Sequence, residues 1–355
     1  MIGLMLSRRY FSQVVEPALA AIAPGLRYGA ARLGDGSEVL GFDTDMSADH
    51  NYGPTVQIVL RADDFGLADH LMAELERRLP ERFETWPIRF ECTGRPHRAE
   101  GWLSGGHGVE LMTLPALLTR QIGIGHDSPD TRDWLAMPEQ RLLTLTAGAV
   151  FRDDDGTLAA MRRRLGGFPQ DIWLAKLAAQ WDRVGEERAF VGRTGALGDD
   201  LGSRLVAGRL VHDLMRIGFL VERRYAPYAK WFGTAFQRLD CAPQLGPMLE
   251  AVLAASDWEQ REIHIANAAQ VLAQMQVERG VPGAVPPRIA SYFTRPFQVI
   301  NADEIAGALR SAIAEAHVRT LPAGAVDQFA DATPVLMRPA LARALAFAMI
   351  DDHAS

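Results

Sequence analysis

Gly36-Ser37-Glu38-Val39-Leu40-Gly41 is followed, after residues 42–48, by Asp49-His50-Asn51 and then by the mostly apolar run Thr55-Val56-Gln57-Ile58-Val59-Leu60. A glycine at 36 lets the backbone approach a ligand closely, and the Ser37 hydroxyl with neighbouring backbone N–H groups can donate to phosphate oxygens. In an extended segment side chains two apart share a face, so Asp49 and Asn51 offer two oxygens to one side while His50 points to the other. A phosphate-holding turn beside hard oxygen ligands suits a metal-bound polyphosphate. The plain alternative is a surface turn whose Asp and Asn only cap backbone groups.

Outward from this stretch, residues 10–22 carry Phe11, Val14, Val15, Leu19 and Ile22 at helical spacing, and Pro24-Gly25 ends the pattern. Residues 26–33 read as a strand broken by Gly34 and Gly36, and residues 55–60 as a buried strand. Residues 65–79 read as an amphipathic helix with Leu67, Leu71, Leu75 and Leu79 on one face. Residues 87–92 and 109–113 are further strand candidates, with a Gly-rich hairpin over 101–108 between them. Helical patterns then dominate, at residues 131–145, 156–165, 171–190, 201–224, 244–255, 258–278, 303–317 and 335–351. Ala149-Val150-Phe151 meets the turn-forming run Asp153-Asp154-Asp155-Gly156, and the domain boundary is placed there. The predicted fold class is therefore α+β: a small mixed sheet with helices over residues 1–150, then an all-α helical domain over residues 151–355.

Composition bounds the function. A chain of 355 residues exceeds the usual single core and favours two domains. With 48% hydrophobic and 23% charged residues it is an ordinary globular chain rather than a disordered one. A net charge of -7 argues against broad electrostatic binding to nucleic acid, although a local basic groove is compatible with it. Cys92 and Cys241 have no ligand-like spacing and read as reduced, packed thiols. The apolar start at residues 1–6 is too short for a signal core, and no run reaches the ~18 apolar residues of a membrane span, so a cytoplasmic protein without a membrane partner is expected.

Transfer of a nucleotidyl group needs in-line attack on the α-phosphorus with charge neutralised on the phosphate oxygens. Asn51 brings no negative charge, so a magnesium site here calls for another acid. Glu110, flanked by Val109 and Leu111 in a short strand, is the best placed, and Glu91 is the alternate. Asp43 and Asp45 read as solvated loop acids, and His50 as a structural hydrogen-bonding residue. Lys230 sits within Tyr225-Ala226-Pro227-Tyr228-Ala229-Lys230-Trp231-Phe232-Gly233, from which it could reach a β- or γ-phosphate across an interdomain cleft. Its alternative is a core of Tyr228, Trp231 and Phe232 with Lys230 extending to water. Arg193, Asp199, Asp200 and Arg204 suggest a polar helix entrance, for which an N-cap and an ion pair suffice. Arg162-Arg163-Arg164 reads as a solvated helix face.

Four blocks carry a resemblance: residues 36–43, residues 46–54, Gly148-Ala149-Val150-Phe151-Arg152-Asp153, and residues 225–236 around Lys230-Trp231-Phe232-Gly233-Thr234. On these the chain resembles the domain-of-unknown-function 4037 family, grouped with the nucleotidyltransferase-like superfamily that includes antibiotic nucleotidyltransferase relatives. The resemblance implies a nucleotidyltransferase-like first domain that binds NTP and Mg and transfers a nucleoside monophosphate to a hydroxyl of a small-molecule acceptor. Asp49, Asn51 and Glu110 would hold the metal, Asp49 and Glu110 would be catalytic, Gly36 and Ser37 would hold the triphosphate, and Lys230 would be a phosphate contact. Active relatives show Ser-Asp-x-Asp, whereas here Ala48 follows Ser47, the acid falls one place late at Asp49, and Asn51 replaces the second acid. That departure supports an alternative, a catalytically impaired nucleotide-binding or regulatory protein. A toxin–antitoxin component acting on tRNA ends is a weaker one, since the acidic net charge favours a small acceptor.

Overall fold

Alternation along Val56–Leu60 decides which side of the sheet is core. Val56, Ile58 and Leu60 join one buried apolar cluster with Ala30, Leu111, Leu71 and Leu75, while Gln57 points to the opposite face. The computed structural model describes residues 2–44, 53–88, 97–321 and 323–354. Asp45, Asp49, His50, Asn51, Glu91 and Cys92 lie outside the described residues.

Six strands form one mixed sheet: β1 (Tyr28–Arg32), β2 (Val56–Leu60), β5 (His97–Ala99), β6 (Trp102–Ser104), β7 (Val109–Thr113) and β8 (Ala149–Asp153), in the order β5-β6-β7-β2-β1-β8. The short strands β3 (Arg82–Phe83) and β4 (Trp86–Pro87) pair separately. Only the β2–β7 pairing is parallel within the six, and it sets Gln57 opposite Glu110. The antiparallel β6–β7 pairing sets Ser104 opposite Glu110 from the other side. Ser104, Glu110 and Gln57 thus form a polar row on the face away from the main cluster.

That cluster is closed by two helical segments. Helix begins at Ile2 rather than at residue 10, runs through a π-helical turn at Phe11–Val15, and ends at Ile22. Pro17 lacks the N–H that would continue the α ladder, which accounts for the local rewinding. Helix Ala68–Arg78 buries Leu71 and Leu75, but Leu67 falls in a preceding 3₁₀ turn and is 44% exposed, so the expected four-leucine stripe holds only from Leu71 onward.

The chain divides into two compact units, the first comprising Met1–Asp133, Met137–Gly166 and Leu336–Arg343, the second Trp134–Ala136, Gly167–Val335 and Ala344–Ser355. The division therefore lies at Gly166, beyond residue 150, because β8 pairs with β1 and belongs to the first sheet. Residues 131–145 are two helices, Thr131–Ala136 and Glu139–Thr146, parted at Pro138.

The second unit is built on helices Gln170–Glu187, Asp200–Val221, Ala242–Ala254 and Trp258–Glu278, with Ala302–Ser311 packed on the first of these. Trp181 is fully buried and its indole N–H donates to Gln276 Oε1 at 3.2 Å. This unit is helical but not all-α, since β9 (Ile289–Ser291) and β10 (Gln298–Ile300) form an antiparallel hairpin. Cys241 is buried there, and burial pushes its thiol up to about 12, as expected of a packed, unreactive cysteine.

Candidate nucleotide site

The polar row on β6, β7 and β2 opens into a cavity of about 250 Å³ in the first unit, bounded by Gln57, Ser104, Glu110, Arg32, Asp35 and Arg120. This is slightly below the ~300 Å³ at which ordinary ligand pockets begin. Gln57 anchors the cavity to the turn after β1. Its Oε1 accepts the Leu33 N–H at 2.9 Å and its Nε2 donates to the Leu33 carbonyl at 3.2 Å. The same Nε2 reaches Glu110 Oε2 at 3.4 Å.

Glu110 also accepts from Arg120, whose Nη1 lies 3.2 Å from Oε1. Arg120 projects from helix Leu114–Ile122, which follows β7 directly. Thr113 caps that helix, accepting the Ala116 N–H at 3.3 Å, and Pro115 stands near its start, where a missing N–H costs nothing. The Arg120 guanidinium carbon lies 4.1 Å from the Trp102 ring centre, a cation–π stack that leaves its edge toward Glu110.

The Gly36-Ser37 segment is a helix start rather than a simple turn. Ser37 opens a four-residue helix, Ser37–Leu40, and Gly36 precedes it at φ = 149°. A Cβ at Gly36 would lie 2.5 and 2.6 Å from the Glu38 carboxylate oxygens and 2.7 Å from an Arg32 nitrogen. The glycine is thus required by a buried ion pair, in which Arg32 Nε donates to Glu38 Oε1 at 3.0 Å, while Arg32 Nη1 donates to the Leu33 carbonyl and Nη2 to the Asp35 carbonyl, both at 2.7 Å. Gly34 and Asp35 line the cavity at this end. Asp35 is held by Arg141 Nη1 at 2.6 Å, and Arg141, 3% exposed, also donates to Gln121 Oε1 at 2.5 Å.

Of the residues singled out from the sequence, Glu110 stands in the cavity wall and Gly36 and Ser37 start the helix behind it. Asp49 and Asn51 lie outside the described residues. Among the described residues no group of three His, Cys, Asp or Glu side chains is placed to hold a metal ion. Glu110 is engaged by Arg120 and Gln57, so the described residues do not by themselves fit magnesium. Asp43 accepts the Gly3 N–H at 2.9 Å and ties the first helix to the segment after Leu40. Lys230 belongs to the second unit, exposed on helix Ala229–Phe236, with Nζ 4.9 Å from the Trp231 ring centre. Phe232 is core, stacked 4.7 Å from His212, whereas Tyr228 is 36% exposed. Asp199 caps helix Asp200–Val221 through the Gly202 N–H at 2.8 Å. Arg32, Asp35, Gln57 and Arg120 escape a sequence reading because strand register and a buried turn bring them together.

Residues 134–232 match the profile of a family described as domain of unknown function (DUF4037). No curated protein sequence matches the chain. Among solved structures it is similar to a nucleotidyltransferase-like protein from Exiguobacterium sibiricum 255-15, with 11% identity, 82% of each chain covered and a TM-score of 0.35. Among the described residues no helix is long and apolar enough to cross a membrane.

Proposed function

We propose that the first unit binds a nucleoside triphosphate in the cavity between β6, β7, β2 and the turn after β1, and that the protein transfers a nucleoside monophosphate to a hydroxyl of a small acceptor. The observation that carries this reading is the row Ser104–Glu110–Gln57 with Arg120 and Arg32 around one cavity. The Arg120 guanidinium, with amide and hydroxyl donors from Gln57 and Ser104, suits a polyphosphate, and the Glu110 carboxylate suits the proton of the hydroxyl that attacks it. In the reaction the acceptor oxygen bonds to the α-phosphorus, the α–β phosphoanhydride bond breaks, pyrophosphate leaves, and the hydroxyl proton passes to a carboxylate. Glu110 is the candidate for that proton. Magnesium, when bound, would neutralise phosphate charge, with Asp49, Asn51 and Glu110 as its proposed ligands. The resemblance also assigns Lys230 to a phosphate, which Lys230→Ala tests on its own. Triphosphate substrates are cytoplasmic solutes, and the proposal places the protein there.

A second reading, nucleotide binding without efficient transfer, is favoured by the Glu110–Arg120 pair and by Asn51 in place of an acid. One experiment separates them. Purified protein is given labelled NTPs, magnesium and a panel of hydroxyl acceptors, and pyrophosphate release is followed beside nucleotide binding. Transfer predicts release that Asp49→Ala and Glu110→Gln abolish with folding intact; binding alone predicts nucleotide retention with no release for any acceptor. If no NTP shifts the melting temperature with magnesium or manganese, both readings fail.

A further inference from the structure

We propose that Arg120 is a latch on Glu110, holding its carboxylate in the nucleotide-free protein and releasing it when a polyphosphate draws the guanidinium away. The inference rests on the nucleotide-binding reading above and names how that site is controlled.

Three observations carry it. First, Arg120 is attached to Glu110 by one contact, Nη1 to Oε1 at 3.2 Å, rather than by a two-point fork. Second, the pair is open to water, with side-chain exposures of 41% for Arg120 and 23% for Glu110, and an ion pair so exposed is weak and easily exchanged. Third, the guanidinium rests 4.1 Å from the Trp102 ring centre, a surface on which it can turn without losing its stacking contact. Arg120 and Glu110 both line the cavity, so the positions occupied before and after exchange belong to the same site.

A triphosphate presents several anionic oxygens to a planar donor set, and a single carboxylate presents one contact here, so the polyphosphate wins the guanidinium. Glu110 then keeps its contact with Gln57 Nε2 at 3.4 Å and gains a free oxygen. That oxygen is available to the acceptor's proton only while nucleotide is present. In the nucleotide-free state the arginine occupies that oxygen.

The test is a two-by-two cycle of Arg120→Gln and Glu110→Gln, with ATP and GTP binding measured by calorimetry in EDTA. Arg120→Gln keeps a long stem over Trp102, and Arg120→Ala serves as a second variant; melting curves establish that each is folded. Arg120→Gln is expected to weaken nucleotide binding about tenfold or more, the loss of a charge-assisted phosphate contact. Glu110→Gln is expected to tighten it several-fold in the wild-type background, because it frees the arginine, and to change it less than twofold beside Arg120→Gln. Equal gains from Glu110→Gln in both backgrounds would mean simple charge repulsion and would overturn the latch while leaving nucleotide binding in place. Absence of ATP and GTP binding by both wild type and Glu110→Gln, in EDTA and again with magnesium, would instead remove the parent reading, and the latch with it.

Discussion

Gly36 has φ = 149°, and any side chain there meets Glu38 and Arg32. Gly36→Ala is expected to cost about 1–3 kcal/mol through backbone strain and the displaced ion pair. Gly233 is the internal contrast: it is helical, and nothing lies within 4 Å of a Cβ built there. Gly233→Ala is expected to stabilise by about 0.5–1 kcal/mol. Urea unfolding of the two variants should move the midpoint in opposite directions; the same direction for both would contradict this account of Gly36. Glu262 supplies a pH handle in the second unit. Burial pushes its carboxyl up to about 7, with Oε1 accepting the Gln298 N–H at 2.8 Å and Oε2 buried without a partner among the described residues. The folded state therefore holds a proton that the unfolded state, near 4.3, has released. Stability from this group is full below about pH 4.3 and is lost as pH rises through 7. Glu262→Gln should flatten the difference in unfolding free energy between pH 5 and pH 8; an unchanged difference would assign that pH dependence elsewhere. Glu110 was legible because an acid between Val109 and Leu111 must leave the apolar face, whereas Arg120 acquires meaning only once β7 and the next helix bring it back over Glu110.

At the scale of elements, segments with a clear period were legible, and those too short or too continuous in apolar character to show one were not. Helix Trp258–Glu278 falls where its pattern places it, and β7 at Val109–Thr113 likewise. Helix Leu114–Ile122 is missing from the sequence reading although Thr113 and Pro115 are start signals, because Leu114, Leu117 and Leu118 continue the apolar run of the strand. Strands β9 and β10 have three residues each, too few for an alternation to show. The cap gives a test at this scale. Thr113→Ala should cost about 1 kcal/mol by removing the acceptor for the Ala116 N–H, and it should loosen Arg120, which rides on this helix. Hydrogen exchange of residues 116–120 is the direct readout, and protection unchanged from wild type would show that tertiary packing alone fixes the helix start.

For the molecule as a whole, the order of a mixed sheet followed by a mainly helical unit was readable from the switch in periodicity, and the division at Gly166 was not. Turn residues at 153–156 punctuate the chain there, but pairing partners decide membership, and β1 lies far upstream of β8. The second unit also buries charge that composition does not reveal. Lys176 is fully buried against Asp327, Nζ to Oδ1 at 2.8 Å, with Arg216 at 3.5 Å from the other oxygen. Asp327→Ala is expected to cost about 3–5 kcal/mol, because it strands a buried cation, and Lys176→Met added to it should recover part of that loss. A double variant no more stable than Asp327→Ala would show that the pair's geometry, rather than the stranded charge, matters.

The edge strand β8 has a consequence for the order in which the molecule can be made. Gly29 pairs with Asp153, and Arg343 Nη1 meets Asp133 Oδ1 at 2.7 Å within the first unit. A chain emerging from the ribosome exposes the free side of β1 until residue 153 has been synthesised, and lacks the Asp133 contact until residue 343 has followed. An open strand edge invites pairing with other chains. The first unit therefore starts before the second and closes only after most of the second has been made, which makes the interval between those two events its period of greatest exposure to misassembly.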